Sequence, residues 1–183
     1  IIMTRIFGSP STYIQGAGVL FKSAAYIKRL GTHALLLADD VVLNLVGNDY
    51  ITYLDAQGIK VKAVQFNGEA SASEIKRVGD FGRAFNADLV IGLGGGKTLD
   101  SAKAIGDDLQ IHIAILPTLA STDAPCSRLS VLYTDDGAFS KYRFYAKNPD
   151  LVLIDTKVVV GAPARLFASG IADALATNVE AQA

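Results

Sequence analysis

Residues 88 to 103 read Asp-Leu-Val-Ile-Gly-Leu-Gly-Gly-Gly-Lys-Thr-Leu-Asp-Ser-Ala-Lys, an apolar strand that runs into three consecutive glycines and then opens a helix. This order constrains the fold more than any other feature of the chain. At Gly94, Gly95 and Gly96 the missing side chains let the backbone turn with φ > 0 and bring its N–H groups against an anion. A helix starting near Lys97 adds unpaired N–H groups and the positive end of its dipole. A tight turn with no ligand would explain one glycine, but three in a row cost conformational entropy that an ordinary turn does not require. Nucleotide binding is therefore the leading expectation.

The spacing excludes the two best-known glycine loops. A Walker A loop ending in Gly96-Lys97-Thr98 needs glycine at Ile91, and a GxGxxG fingerprint starting at Gly92 needs glycine at Lys97. Lys97-Thr98 thus imitates a P-loop ending without the spacing that wraps a β-phosphate.

Around this segment strand and helix patterns alternate. His33 leads into the apolar run 34–38, residues 41–57 carry helical spacing closed by Gly58, and 59–66 reads as strand. A helix over 71–85 opens on a Ser71-x-x-Glu74 capping box; strand 88–93, helix 98–109 and strand 111–116 follow. Such alternation predicts an α/β fold, a Rossmann-like parallel sheet with helices on both faces and ligands beyond the carboxyl ends of the strands. Asp39, the glycines and Thr118 all fall at such ends. Residues 130–145 read as a hairpin turning at Thr134-Asp135-Asp136-Gly137, and 151–154 as a further strand. Beyond Gly161 strands stop, and Pro163-Ala164-Arg165 begins an Ala-rich helical tail. The domain expectation is an α/β unit over residues 1–160 and the start of a truncated helical domain over 161–183, whose tail should expose apolar surface.

Composition narrows the function classes. Half of the 183 residues are hydrophobic, enough for a substantial core. The net charge of −1, from 17 basic and 18 acidic residues, provides no broad positive field for nucleic acid or an anionic membrane. The single cysteine, Cys126, excludes an internal disulfide and agrees with a reducing compartment, so the cytoplasm is expected. Ile1-Ile2-Met3-Thr4-Arg5 lacks the regions of a signal peptide.

Several residues carry two readings. Asp39 ends a strand, where a carboxylate accepts both hydroxyls of an adenine ribose and repels a 2′-phosphate, but Asp39 or Asp40 could equally cap the next helix. Asp123 by itself reads as an Asx turn before Pro125, Cys126 as a small packing residue, and Lys103 as a solvated helix position. His33 and His112, at or inside strands, read as structural. Tyr142-Arg143-Phe144-Tyr145 reads as plain β structure rather than a base-stacking platform.

The run 94–103, the stretch Pro117-Thr118-Leu119-Ala120-Ser121-Thr122-Asp123-Ala124-Pro125-Cys126-Ser127, and Gly170-Ile171-Ala172-Asp173-Ala174-Leu175 together resemble the iron-containing (metal-dependent, group III) alcohol dehydrogenase family. Lys97-Thr98 with Ser121-Thr122-Asp123-Ala124-Pro125 points to its glycerol-dehydrogenase branch. The likeness spans nearly the whole chain. It implies NAD-dependent, zinc-dependent oxidation of glycerol, or a similar small diol, to dihydroxyacetone, by a homo-oligomer when full length, with no nucleic acid or membrane partner. It implies that Asp39 holds the ribose; that Gly94, Gly95, Gly96, Lys97, Thr98 and Asp100 contact the pyrophosphate and nicotinamide-ribose side; and that Thr118, Ser121, Ser127, Leu129, Val131 and Tyr133 form a second cofactor segment. It further implies that Asp123 meets the substrate hydroxyls and Asp173 ligates zinc. Catalytic zinc takes three protein ligands, so further ones must lie elsewhere. Two rival readings remain: a nucleotide-binding fragment without catalysis, and a glycerol-1-phosphate dehydrogenase, against which Asp123 stands in place of a local arginine cluster.

Overall fold

The structure, a computed structural model, describes residues 7–182. The opening Ile1-Ile2-Met3-Thr4-Arg5 lies outside the described residues. Six strands, β1 (Thr12–Gly16), β2 (His33–Ala38), β3 (Lys60–Gln65), β4 (Leu89–Gly94), β5 (His112–Pro117) and β8 (Leu151–Asp155), form one parallel sheet in the order β1-β8-β5-β4-β2-β3. A separate antiparallel hairpin pairs β6 (Leu129–Tyr133) with β7 (Phe139–Phe144), its turn closed by Gly137 at φ 86°. The expected α/β class holds.

The central strands are buried on both faces, and successive residues feed two different cores. Ala34, Leu36 and Ala38 of β2 join Ile91 and Leu93 of β4 against Ile27 of α1 (Ala24–Lys28) and Tyr50 and Leu54 of α3 (Asn48–Ala56). Leu35 and Leu37 join Val90 and Ile115 against Ile75 and Val78 of α4 (Ala72–Phe85) and Leu99 and Ile105 of α5 (Gly96–Leu109). This is why the strand sequences are continuously apolar rather than alternating.

Local details depart from the sequence reading in three places. The helix expected over 41–57 is interrupted: a short α2 (Asp40–Val42) passes into a π turn over Leu43–Gly47 before α3. The Ser71 capping box is half made. Ser71 Oγ accepts from the Glu74 N–H, but the Glu74 carboxylate turns instead to the Asn67 N–H at 2.9 Å and to Arg77. Burial works to raise that carboxyl, but the hydrogen bonds from Arg77 and the Asn67 N–H, with the Arg77 charge, together hold it below its ordinary range. Strand β1 is absent from the sequence reading, because this edge strand is mostly exposed and carries no apolar run.

Beyond β8, α6 (Thr156–Val160) is followed by α7 (Ala164–Glu180), in which no residue is buried. Phe167, Ile171, Leu175 and Val179 are each more than half exposed along it, as expected of an apolar tail. No helix among the described residues is long and apolar enough to cross a membrane.

The closest packing between α5 and the sheet is at Gly106. A Cβ there would lie 2.3 Å from Ile113 Cγ1 and 3.0 Å from Val90 Cγ1. Gly106→Ala should therefore cost about 1–3 kcal/mol by overpacking. Urea unfolding checks this as a lower midpoint with an unchanged slope.

Candidate functional site

Strands β2, β4 and β5 are neighbours, so the residues that follow them meet on one rim: Asp39 after β2, Gly94 to Gly96 at the end of β4, and Thr118 after β5. Within the glycine run only Gly94 needs glycine for its backbone, at φ 155°. This corrects the expectation of positive φ throughout. Gly95 has φ −92° and serves as the N-cap of α5 without a side-chain cap, and Gly96 is already helical. The first-turn N–H groups of α5 thus point out of the helix with no side chain of the cap residue to take them.

Beside this terminus lies a cavity of about 290 Å³ lined by Gly96, Lys97, Asp100, Ser121, Thr122, Asp123, Ala124, Ser127, Leu129, Val131 and Tyr133. It gathers most of the residues expected to hold a cofactor. Gly94, Thr98 and Thr118 instead support it from behind: the Thr118 N–H donates to the Gly94 carbonyl at 3.0 Å, and the buried Thr98 packs on Gly94. Asp39 stands apart on the same rim. Its Oδ1 accepts the Val42 N–H at 2.7 Å, so the helix-cap reading is realised through one carboxylate oxygen.

Two groups in this site escaped the sequence reading. The first is Glu69, whose Oε1 lies 2.5 Å from Lys97 Nζ, while that ammonium sits 4.8 Å above the Tyr133 ring centroid. Only its place after the end of β3 could have suggested it. The second is Lys103, which is a correction: rather than solvated, its side chain is 1% exposed. Its ammonium lies 2.8 Å from Asp100 Oδ1 and donates to the carbonyls of Ala124 and Leu129. Burial pulls Lys103 below the ordinary lysine range and pushes the Asp100 carboxyl up, and their charge contact opposes both shifts. The available signal was the i, i+3 spacing of Asp100 and Lys103 on a helix otherwise apolar at Leu99, Ala102 and Ile105.

The Asp123 turn is closed by its own carbonyl, which accepts the Cys126 N–H, and by Thr122 Oγ1, so the carboxylate is not consumed in an Asx turn. Cys126 is exposed, which corrects its reading as a packing residue. Asp123 also borders a second groove of about 500 Å³ that contains Asp173, Phe167, Gly170, Ile171 and Ala174 of α7. The close approach of Gly170 to Ala120 makes this groove, since a Cβ on Gly170 would fall 1.9 Å from the Ala120 carbonyl oxygen. Asp173 thus faces the same groove as Asp123.

A larger cavity of about 560 Å³, lined by Asp88, Gln110, His112 and Lys147 among others, opens where β4 and β5 begin, at the opposite end of the sheet. His33 and His112 both lie at that end, His112 Nδ1 at 3.4 Å from Asp150 and His33 beside Phe85, remote from the glycine rim. Among the described residues no three His, Cys, Asp or Glu side chains converge to hold a metal.

Residues 10–156 match the family model described as iron-containing alcohol dehydrogenase. The chain is 46% identical to glycolaldehyde reductase of Halobacterium salinarum and 46% identical to glycerol dehydrogenase of Escherichia coli O6:H1, over 99% of this chain in each case. It spans about half of their length, 50% and 49% respectively. The crystal structure of glycerol dehydrogenase from Schizosaccharomyces pombe superposes with a TM-score of 0.87 at 44% identity, over 96% of this chain and 45% of that one.

The three glycines should separate by their backbone roles. Gly94→Ala, forced to a φ that side chains avoid and pressed on Thr98, should cost about 1–3 kcal/mol. Gly95→Ala should cost under about 1 kcal/mol, the ordinary N-cap preference. Paired thermal melts of the two variants check the order.

Proposed function

This chain belongs to the iron-containing alcohol dehydrogenase family, and from that premise we propose that it carries the NAD-binding part of an enzyme oxidising glycerol, or a similarly small diol, to the hydroxyketone. The observation that carries the reading is Gly95. Neither its φ nor its packing asks for glycine, because a Cβ there would make only ordinary contact with Leu119 at 3.5 Å. Bareness at that position is useful to a ligand that approaches the N-terminus of α5 on its open side, as a pyrophosphate does.

The other residues fit the same ligand. Asp39 caps with Oδ1 and keeps Oδ2 for ribose hydroxyls. Asp100 lines the cavity, held by the Lys103 ammonium at Oδ1 and by the Val131 N–H at its other oxygen, and Ser121, Ser127 and Tyr133 offer hydroxyls around it. Gly94, Thr98 and Thr118 hold the loop's shape, and Leu129 and Val131 form its apolar wall. When bound, NAD supplies the hydride acceptor. The protein's part is orientation: Asp123, common to the cofactor cavity and the α7 groove, accepts the diol hydroxyls and fixes the reacting carbon between the two. Relatives that bear the names glycerol dehydrogenase and glycolaldehyde reductase support a small hydroxylated substrate without deciding its length.

The family's metal, which we read as zinc, is not accommodated by the described residues alone. The α7 groove presents two carboxylates, Asp123 and Asp173, where a catalytic site needs three ligands. Asp173 is proposed as one ligand of a set completed elsewhere. Residues 161–183 are read as the start of a second, helical domain, since α7 buries nothing against the sheet. Assembly into a homo-oligomer in the cytoplasm completes the proposal.

Titration calorimetry with NAD tests the reading. NAD should bind saturably, and Gly95→Val should abolish binding with an unchanged circular dichroism spectrum; no heat from the unmodified chain sinks the proposal. NADP should bind at least about tenfold more weakly, because the Asp39 carboxylate meets its 2′-phosphate. Asp39→Asn should narrow that gap while retaining the cap, and equal affinities beforehand would remove Asp39 from the ribose site. With glycerol and added zinc the chain should form no NADH. Activity lost again in Asp173→Ala would show that ligands arrive from another chain.

A further inference from the structure

The loop between β5 and β6 supplies Ser121, Asp123 and Ser127 to the candidate site, with Leu129 following at the start of β6, yet most of the loop has no regular secondary structure. Something must fix its course. Its rim is held by the Asn148 side chain, which donates to the Cys126 carbonyl at 2.8 Å. On its inner side it meets the ammonium of Lys103.

That ammonium donates to the Ala124 carbonyl at 2.9 Å, to Ser127 Oγ at 3.3 Å and to the Leu129 carbonyl, so one cation holds both ends of the segment 124–129. It lies 2.8 Å from Asp100 Oδ1, and the other oxygen of Asp100 accepts the Val131 N–H at 2.9 Å. The Asp100 carbonyl accepts the Ser130 hydroxyl at 2.8 Å. Loop, first residues of β6 and second turn of α5 are thereby joined through two neighbouring residues. An apolar side chain at position 103 would satisfy the packing but leave these carbonyls without a donor inside the protein.

We infer that Lys103 is a positioning residue, whose buried ammonium fixes the segment 124–131 against α5 and so sets the wall of the cofactor cavity. The consequence for NAD rests on the functional reading above; the fixing of the loop does not. Lys103 touches neither rim nor groove and acts through Asp100, Ser127 and the two carbonyls.

Hydrogen exchange by mass spectrometry on Lys103→Met, alongside NAD calorimetry, tests this. Amides of 124–131 should exchange at least about tenfold faster while β2, β4 and β5 keep their protection, and NAD affinity should fall at least about tenfold, the loss expected when a charged hydrogen-bond donor is removed. Unchanged exchange in 124–131, or acceleration spread evenly over the sheet, overturns the inference, the latter because it marks Lys103 as a general stabiliser. If Lys103→Met does not fold, Lys103→Met with Asp100→Asn removes both buried charges and keeps an acceptor for the Val131 N–H. Faster exchange confined to 124–131 in that pair supports the inference and wild-type protection there overturns it. Should the unmodified chain bind no NAD, the functional reading fails while the exchange result still decides the role of Lys103.

Discussion

Helix α5 lies between the sheet and the β6–β7 hairpin, and burial on both sides drives its charged residues to find partners inside the protein. Residues 98–106 are all buried, four of them, Thr98, Asp100, Ser101 and Lys103, polar or charged. Ser101 turns back to the Lys97 carbonyl at 2.9 Å. Asp100 and Lys103 turn to each other and outward to the loop and to β6. Taking two charges from water is costly, and a buried pair repays that only with good geometry and further hydrogen bonds. Here the further bonds are the attachment of the loop. The same helix presents its N-terminus to the rim, so the element that carries the proposed anion site also carries the fastening of the wall beside it.

The hairpin is tied to this arrangement from the other side. The Tyr145 hydroxyl donates to Ser130 Oγ, which donates to the Asp100 carbonyl, and burial raises that phenol to about 12. Arg143 reaches Asp107 and Asp108 at the far end of α5, at 2.6 and 2.7 Å. The sequence Tyr142-Arg143-Phe144-Tyr145 therefore alternates between solvent and α5, with Tyr142 and Phe144 exposed and Tyr145 buried.

Five of the six sheet strands are legible because they are short apolar runs punctuated by Gly58, Gly94 and a capping Ser71, signals that act locally; β1 carries no such run. The rim was legible for the same reason: topology alone brings Asp39, Gly94 to Gly96 and Thr118 together. What failed to show were long-range pairings. Lys103 looks solvated because charge normally marks the outer face of a helix, and only the hairpin packing over α5 reverses that. Glu69 reaches Lys97 across 28 positions, with no local pattern to announce it. Gly95 was misjudged differently. Its glycine was attributed to backbone twist, whereas the turn is made at Gly94 and Gly95 is left conformationally ordinary. That difference strengthens the case for a ligand, since strain would have explained the residue without one.

Electrostatics at the rim favour one kind of partner. The N-terminus of α5 and Lys97 attract an anion, but Glu69 at 2.5 Å already offsets the lysine, Asp100 is balanced by Lys103, and Asp123 adds negative charge at the cavity, with Asp39 apart on the same rim. A dinucleotide spreads its two phosphate charges over one helix terminus and offers hydroxyls elsewhere, matching that arrangement. A ligand with a terminal phosphate at the substrate end would meet Asp123, and across the adjoining groove Asp173, with no compensating arginine among the residues lining either. The balance of charge thus supports the proposed uncharged diol over a phosphorylated one at the end of the site where it is proposed to sit.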